Sequence, residues 1–304
     1  MKTLQQTFKM GQRLMVLAVV FMMSAGAKAE DDFGIWTELS VEKSFNKKFS
    51  VSGGFDFRAE QNVTRAARYA VNVGADYKLT KFLKLGAGYM FMYDRSAAET
   101  KVDYKKDGIT MNGYDHDHAF WRNKHRLFAE LTGKLNVGRF SFSLRERYQY
   151  THYMADSCVR DKYRGLVTKD YAGGYWPEPN EDGMFYAYDE TVMDAKPKKG
   201  KHYLRSRLQV EYDIKGLPLT PYASYEFSNN LSDGFHLDKQ RLTVGADYKI
   251  KKKHTLTLAY IHENGADDDS GKMHAVSLRY KFKFSALAKG STNRWKTNIK
   301  RRKS

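Results

Sequence analysis

What most constrains this chain is an alternation of period two, clearest in Val276-Ser277-Leu278-Arg279-Tyr280-Lys281-Phe282-Lys283-Phe284, where every even position is apolar or aromatic and every odd one small or cationic. Successive side chains of an extended strand point to opposite faces, so the stretch has one greasy face and one charged face. The same pattern recurs in ten further segments, at 35–42, 49–58, 68–78, 83–94, 126–135, 140–150, 205–214, 219–227, 241–249 and 256–260. Helical periodicity is scarce between them. Segments of about ten residues match the length a tilted strand needs to cross a bilayer, and Tyr and Phe at many segment ends suit the aromatic girdles of such barrels. The expected fold is all-β, an antiparallel transmembrane barrel. A lipocalin-like calyx would turn the apolar residues inward, and the charged opposite faces argue against it.

Composition bears on this only through what it permits. The 304 residues have a mean hydropathy of −0.67, yet a barrel strand needs only alternate residues to be apolar. Beyond the first thirty residues no apolar run is long enough for a spanning helix.

Residues 1–29 read as a cleaved secretory signal. Lys2, Lys9 and Arg13 make its basic start, Leu14 to Ala25 its apolar middle and Ala27-Lys28-Ala29 its small-x-small cleavage site. The barrel is expected over 30–284 and a basic, disordered tail over 285–304. The tail contributes seven and the signal four of the formal charge of +17, which leaves +6 for the body. Cationic tails can meet anionic lipid heads, but a solvated tail is the simpler reading, and binding of nucleic acid is not expected of an exported chain. The single Cys158 permits no internal disulfide and has no nucleophile signature in its loop-like surroundings.

Connections alternate in length. Short turns near Asn46, Thr80, Asn136, Gly216 and Lys252 suggest the periplasmic end, and the longer stretches 95–119, 153–201, 229–237 and 264–272 the extracellular end. Eleven segments is odd, whereas bacterial single-chain barrels use even numbers with both termini in the periplasm. The expectation is therefore 10–12 strands, with either a strand missed or the residues from Glu30 threaded through the barrel.

The polar faces gather a charged lumen. Arg58, Arg68, Arg126, Arg145, Arg147, Arg205, Arg207, Arg241 and Arg279 fall there with Asp56, Asp76, Asp94, Glu130, Glu211 and Asp247. In a narrow barrel such groups pair into a salt-bridged plug, and in a wider one the arginine excess lines an anion-preferring pore. Both readings stay open. Glu146, His262 and His125 fall instead on the apolar face, where a lipid hydrolase would place part of a Ser/His/acid set, although no convincing Ser accompanies them. A register change or a place near the headgroups would also explain them.

Two loop clusters have the side chains of metal ligands without the spacing of a recognised site: Asp115-His116-Asp117-His118 and Asp267-Asp268-Asp269. The 153–201 stretch sets Tyr171, Tyr175, Trp176, Tyr186 and Tyr188 beside Gly173, Gly174 and Gly183. Packing within a lid explains this composition more simply than carbohydrate or peptide contact.

The start Phe33-Gly34-Ile35-Trp36-Thr37, the strand Arg145-Glu146-Arg147-Tyr148-Gln149-Tyr150, then Tyr203-Leu204-Arg205, Pro221-Tyr222-Ala223-Ser224-Tyr225-Glu226 and the closing Tyr280-Lys281-Phe282-Lys283-Phe284 resemble the domain-of-unknown-function 2490 family. That family comprises outer-membrane barrels of Bacteroides-type Gram-negative bacteria. The resemblance covers about 33–284 and implies fold and location, with no catalytic residues to carry over. Phe284 also resembles the terminal aromatic that barrel-assembly machinery recognises, although residues follow it here.

The expected protein is a non-enzymatic outer-membrane barrel without a cofactor, either a narrow, porin-like channel or a structural surface protein. Its expected partners are outer-membrane lipids, the assembly machinery and a small anionic solute. The alternatives are a membrane-embedded lipid hydrolase and a ligand-binding protein acting through the 153–201 loop.

Overall fold

The computed structural model describes residues 32–251, 253–265 and 272–285. The signal segment, the basic tail beyond 285 and the Asp267-Asp268-Asp269 cluster lie outside the described residues. In chain order the strands are β1 (Asp32–Ser44), β2 (Phe49–Glu60), β3 (Arg65–Lys78), β4 (Leu83–Ser96), β5 (Glu99–Tyr104), β6 (Met111–Asp117), β7 (Phe120–Val137) and β8 (Phe140–Tyr153). Then follow β9 (Asp156–Val167), β10 (Phe185–Lys196), β11 (Lys199–Tyr212), β12 (Leu219–Asn230), β13 (His236–Ile250), β14 (His254–Gly265) and β15 (Met273–Ser285). No described helix is long and apolar enough to cross a membrane.

Eleven of these strands close into a barrel in the order β1-β15-β14-β13-β12-β11-β8-β7-β4-β3-β2. They correspond one for one to the eleven alternating segments. The burial pattern is that of a soluble protein turned inside out. Leu39, Val73, Leu135, Phe142, Leu208 and Val244 are exposed on the outside, whereas Asp94, Arg122, Gln149, Glu226 and Thr257 are buried. An apolar belt of this extent is untenable in water, and it marks a membrane barrel.

Closure explains the odd count. A ring of strands that each run against their neighbours must be even in number, so eleven strands require a parallel seam. That seam is β1 with β15, in register from Asp32↔Met273 to Ser44↔Ser285. Among the described residues no further strand joins the ring, and none threads the barrel. β1 ends at the short β1–β2 turn, so it begins at the opposite rim, the one with the long connections, and runs in the same direction as β15.

The short turns have local causes. Asn46 Oδ1 accepts from the backbone N–H groups of Lys48 and Phe49 at 2.7 and 2.8 Å. Thr80 Oγ1 accepts likewise from Phe82 and Leu83. Gly138, at φ +60°, opens the two-residue link between β7 and β8, a conformation that favours glycine.

The long connections 95–119 and 153–201 carry strands of their own, with loops left at 105–110 and 168–184. These strands form a second sheet, in the order β10-β9-β6-β5. This order repeats that of the barrel strands β11, β8, β7 and β4, so four adjacent wall strands continue beyond the rim after breaks at 97–98, 118–119, 154–155 and 197–198. Arg122, buried on β7, spans the breaks: its Nε donates to the Met154 carbonyl at 2.7 Å, and its Nη2 to those of Pro197 at 2.6 Å and Lys196 at 3.3 Å.

Candidate functional site

Inside the barrel the odd or even polar positions of each strand converge on one charged space. A cavity of about 600 Å³ is lined by eleven Arg and Lys side chains against six Asp and Glu. A second cavity, of about 370 Å³, adjoins it and shares Glu38, Asp56, Arg58, Arg207, Glu226, Arg241 and Arg279.

Much of the charge is tied into a network. Glu226, on β12, is its centre: one carboxylate oxygen accepts from Arg145 Nη2 at 2.5 Å, and the other takes Arg205, with Arg241 at 3.6 Å. Glu130 holds Arg147 at 2.5 Å and has Arg145 at 3.8 Å. Asp94 is bidentate to Arg68, with two contacts of 2.7 Å, and also takes Lys124 at 3.1 Å. Glu263 pairs with Arg241 and Lys239. Trp36 is in contact with two guanidiniums, Arg58 at 3.8 Å and Arg241 at 4.9 Å from its ring centre. Multiply shared carboxylates of this kind lower the desolvation cost of burying so many cations.

Three arginines are left outside this network. Among the described residues Arg126 bonds only to Thr151 Oγ1, at 3.0 Å, and Arg279 only to the Tyr222 hydroxyl, at 2.6 Å. Arg207 has no ion-pair or hydrogen-bond partner there, and its Nε is buried.

Of the residues singled out in the sequence, all nine arginines and Asp56 line the wider cavity, with Asp94 among them. Asp247 lines the narrower one and accepts from Thr257. Glu130 stands inside with its arginines. Asp76 and Glu211 sit toward the short-turn rim, paired with Lys84 at 3.0 Å and Lys134 at 2.9 Å. Sequence reasoning missed Glu226, Glu263, Lys124, Lys239, Trp36 and Tyr222 as members. Glu226 carried a signal, because it already stood on the polar face of its segment.

Outside the lumen the polar positions on the apolar face stay apart. Glu146 accepts from Ser206 at 2.6 Å, His125 bonds with the Tyr89 hydroxyl at 2.7 Å, and His262 packs on His274 with ring centres 4.6 Å apart.

In the second sheet alternation splits the Asp115–His118 run between two faces. Asp117 takes Arg160 at 2.5 Å and also Lys196, and Asp115 takes Arg164 at 2.6 Å. His118 meets Asp161 at 2.6 Å on the other side, and His116 meets Thr100. The run is therefore not one ligand cluster. Asp117, Cys158 and Asp194 bring ligand atoms within 4.8 Å of one another, but the cations of Arg160 and Lys196 already occupy both carboxylates. Burial would raise the Asp117 carboxyl, yet the hydrogen bonds from Arg160 and Lys196 outweigh it and hold the group at about 2. Cys158 is a buried residue of β9, not of a loop, and burial pushes its thiol up. On the opposite face Trp176 packs on Tyr114, Tyr163 and His116, with ring centres 5.2, 5.3 and 5.6 Å away.

A family model described as "Protein of unknown function (DUF2490)" matches residues 33–274. No curated protein matches in sequence. Among solved structures the translocator domain of the autotransporter NalP from Neisseria meningitidis is 10% identical, covers 90% of this chain and 94% of its own, and has a TM-score of 0.49. The β domain of the Bordetella autotransporter BrkA is 12% identical, with coverages of 84% and 100% and a TM-score of 0.44. The NanC porin is also 12% identical, with coverages of 83% and 98% and a TM-score of 0.40.

Proposed function

Since the chain belongs to the DUF2490 family of proteins of unknown function, its role has to come from its own lumen, and we propose that it is an outer-membrane conduit for small anionic solutes. The short turns then face the periplasm, and the second sheet stands on the outside of the cell. Outer-membrane lipids cover the apolar belt, and barrel-assembly machinery inserts the chain. The reading is non-enzymatic.

One observation carries it: eleven cations face six acids around the wider cavity, and Arg126, Arg207 and Arg279 have no carboxylate within ion-pair reach among the described residues. A buried guanidinium without a counter-charge is costly, so the lumen favours a mobile anion over a cation. The paired charges narrow the passage without cancelling its sign. A plug held entirely by internal pairs would leave no such excess.

Permeation into proteoliposomes tests this. With sugars of matched size, the account expects a sugar acid to enter faster than its neutral analogue and an amino sugar to enter slowest. Equal rates, or a lead for the cation, would contradict it.

A further inference from the structure

We propose that Arg207 and Arg279, on either side of Tyr222, form a binding site for a small oxyanion in the lumen, a site that rests on the conduit reading and gives it a specific ligand class. Arg207 on β11 stands opposite Arg145 of β8 and Glu226 of β12. It forms no ion pair with Glu226 among the described residues, and the oxygens of that carboxylate serve Arg145, Arg205 and Arg241. Arg279 reaches the site from β15 and lines both cavities, as does Arg207.

Tyr222 stands with the two on the wall of the narrower cavity and is 8% exposed. Because its hydroxyl oxygen accepts from Arg279 Nη2 at 2.6 Å, the hydroxyl proton remains free to be donated. The site thus offers N–H and O–H donors from three side chains. A group with several acceptor oxygens and negative charge matches such a set, and arginine forks recognise phosphate, sulfate and carboxylate in this way. Glu38 is the nearest opposing charge in register, across the seam from Arg279, but the two form no ion pair among the described residues. It weakens the site without filling it.

The probe is inorganic phosphate, titrated by calorimetry into the full chain in detergent micelles and checked against sulfate and acetate. The expected result is saturable binding that Arg207→Gln weakens on the order of tenfold, and Arg207→Gln with Arg279→Gln on the order of a hundredfold, as expected for loss of charge-assisted hydrogen bonds. Tyr222→Phe should weaken it severalfold, Glu38→Gln should strengthen it, and Arg126→Gln should leave it within about twofold. Arg207 has no partner to lose among the described residues, so its variant is expected to fold. Absent binding, or binding indifferent to Arg207→Gln, overturns the site. Because no current is measured, anion permeation with no phosphate site would sink this proposal alone. A site in a barrel that passes nothing would instead sink the conduit.

Discussion

At the scale of single residues, a few side chains carry several partners each. Arg122 ties three carbonyls at the strand breaks, those of Met154, Lys196 and Pro197. Hydrogen bonds to a charged donor are worth roughly 1.5–3 kcal/mol each, and removing one partner leaves the carbonyls unsatisfied. Arg122→Gln is therefore expected to loosen the second sheet by about 3 kcal/mol. Hydrogen exchange should show faster opening of the β5, β6, β9 and β10 amides, with the barrel amides unchanged. The lumen arginines were legible as residues, because each stands on the polar face of an alternating strand. Their partners were not. Glu263 lies past the alternating segment at 256–260, beside His262, a polar residue on the apolar face that breaks the pattern. Glu226 was visible on its face, but only the register of strand pairing brings Arg205 and Arg241 to it from the two neighbouring strands and Arg145 from the next one.

At the scale of elements, the barrel strands could be read because lipid on one side and charge on the other impose a strict period of two. The second sheet could not. Its strands carry ion pairs on one face and aromatics with polar residues on the other, and β5, read as Glu99-Thr100-Lys101-Val102-Asp103-Tyr104, alternates over only six residues, too short to announce a crossing strand. The closing seam was also hidden, since the direction of pairing between the first and last strands is a property of the ring and not of either sequence. Two measurements address these elements. Asp117 is held at about 2, below its ordinary value near 3.8, so its contribution is full above pH about 4 and is lost as pH falls through about 2. Limited proteolysis at falling pH should then cut the 156–196 hairpin in that window while the barrel resists, and equal resistance throughout would contradict it. For the seam, Ser40 and Lys281 are register partners. In a Cys158→Ser background, Ser40→Cys with Lys281→Cys should cross-link with a short bis-maleimide, whereas shifting one cysteine by four residues should abolish the product.

At the scale of the whole molecule, an eleven-strand ring is narrow enough for side chains three strands apart to meet, yet it leaves adjoining cavities of about 600 and 370 Å³. Its interior is neither an apolar core nor a neutral plug. Cations outnumber acids on its wall, and the excess includes arginines that pair with no carboxylate among the described residues. The most direct measurement of what this sign does is the reversal potential of single channels in a planar bilayer under a tenfold gradient of potassium chloride. The account predicts small discrete openings whose reversal potential lies toward that of chloride, and a shift toward zero when Arg126, Arg207 and Arg279 are replaced together by glutamine. A folded barrel that stays silent, or one that reverses toward potassium, would contradict it.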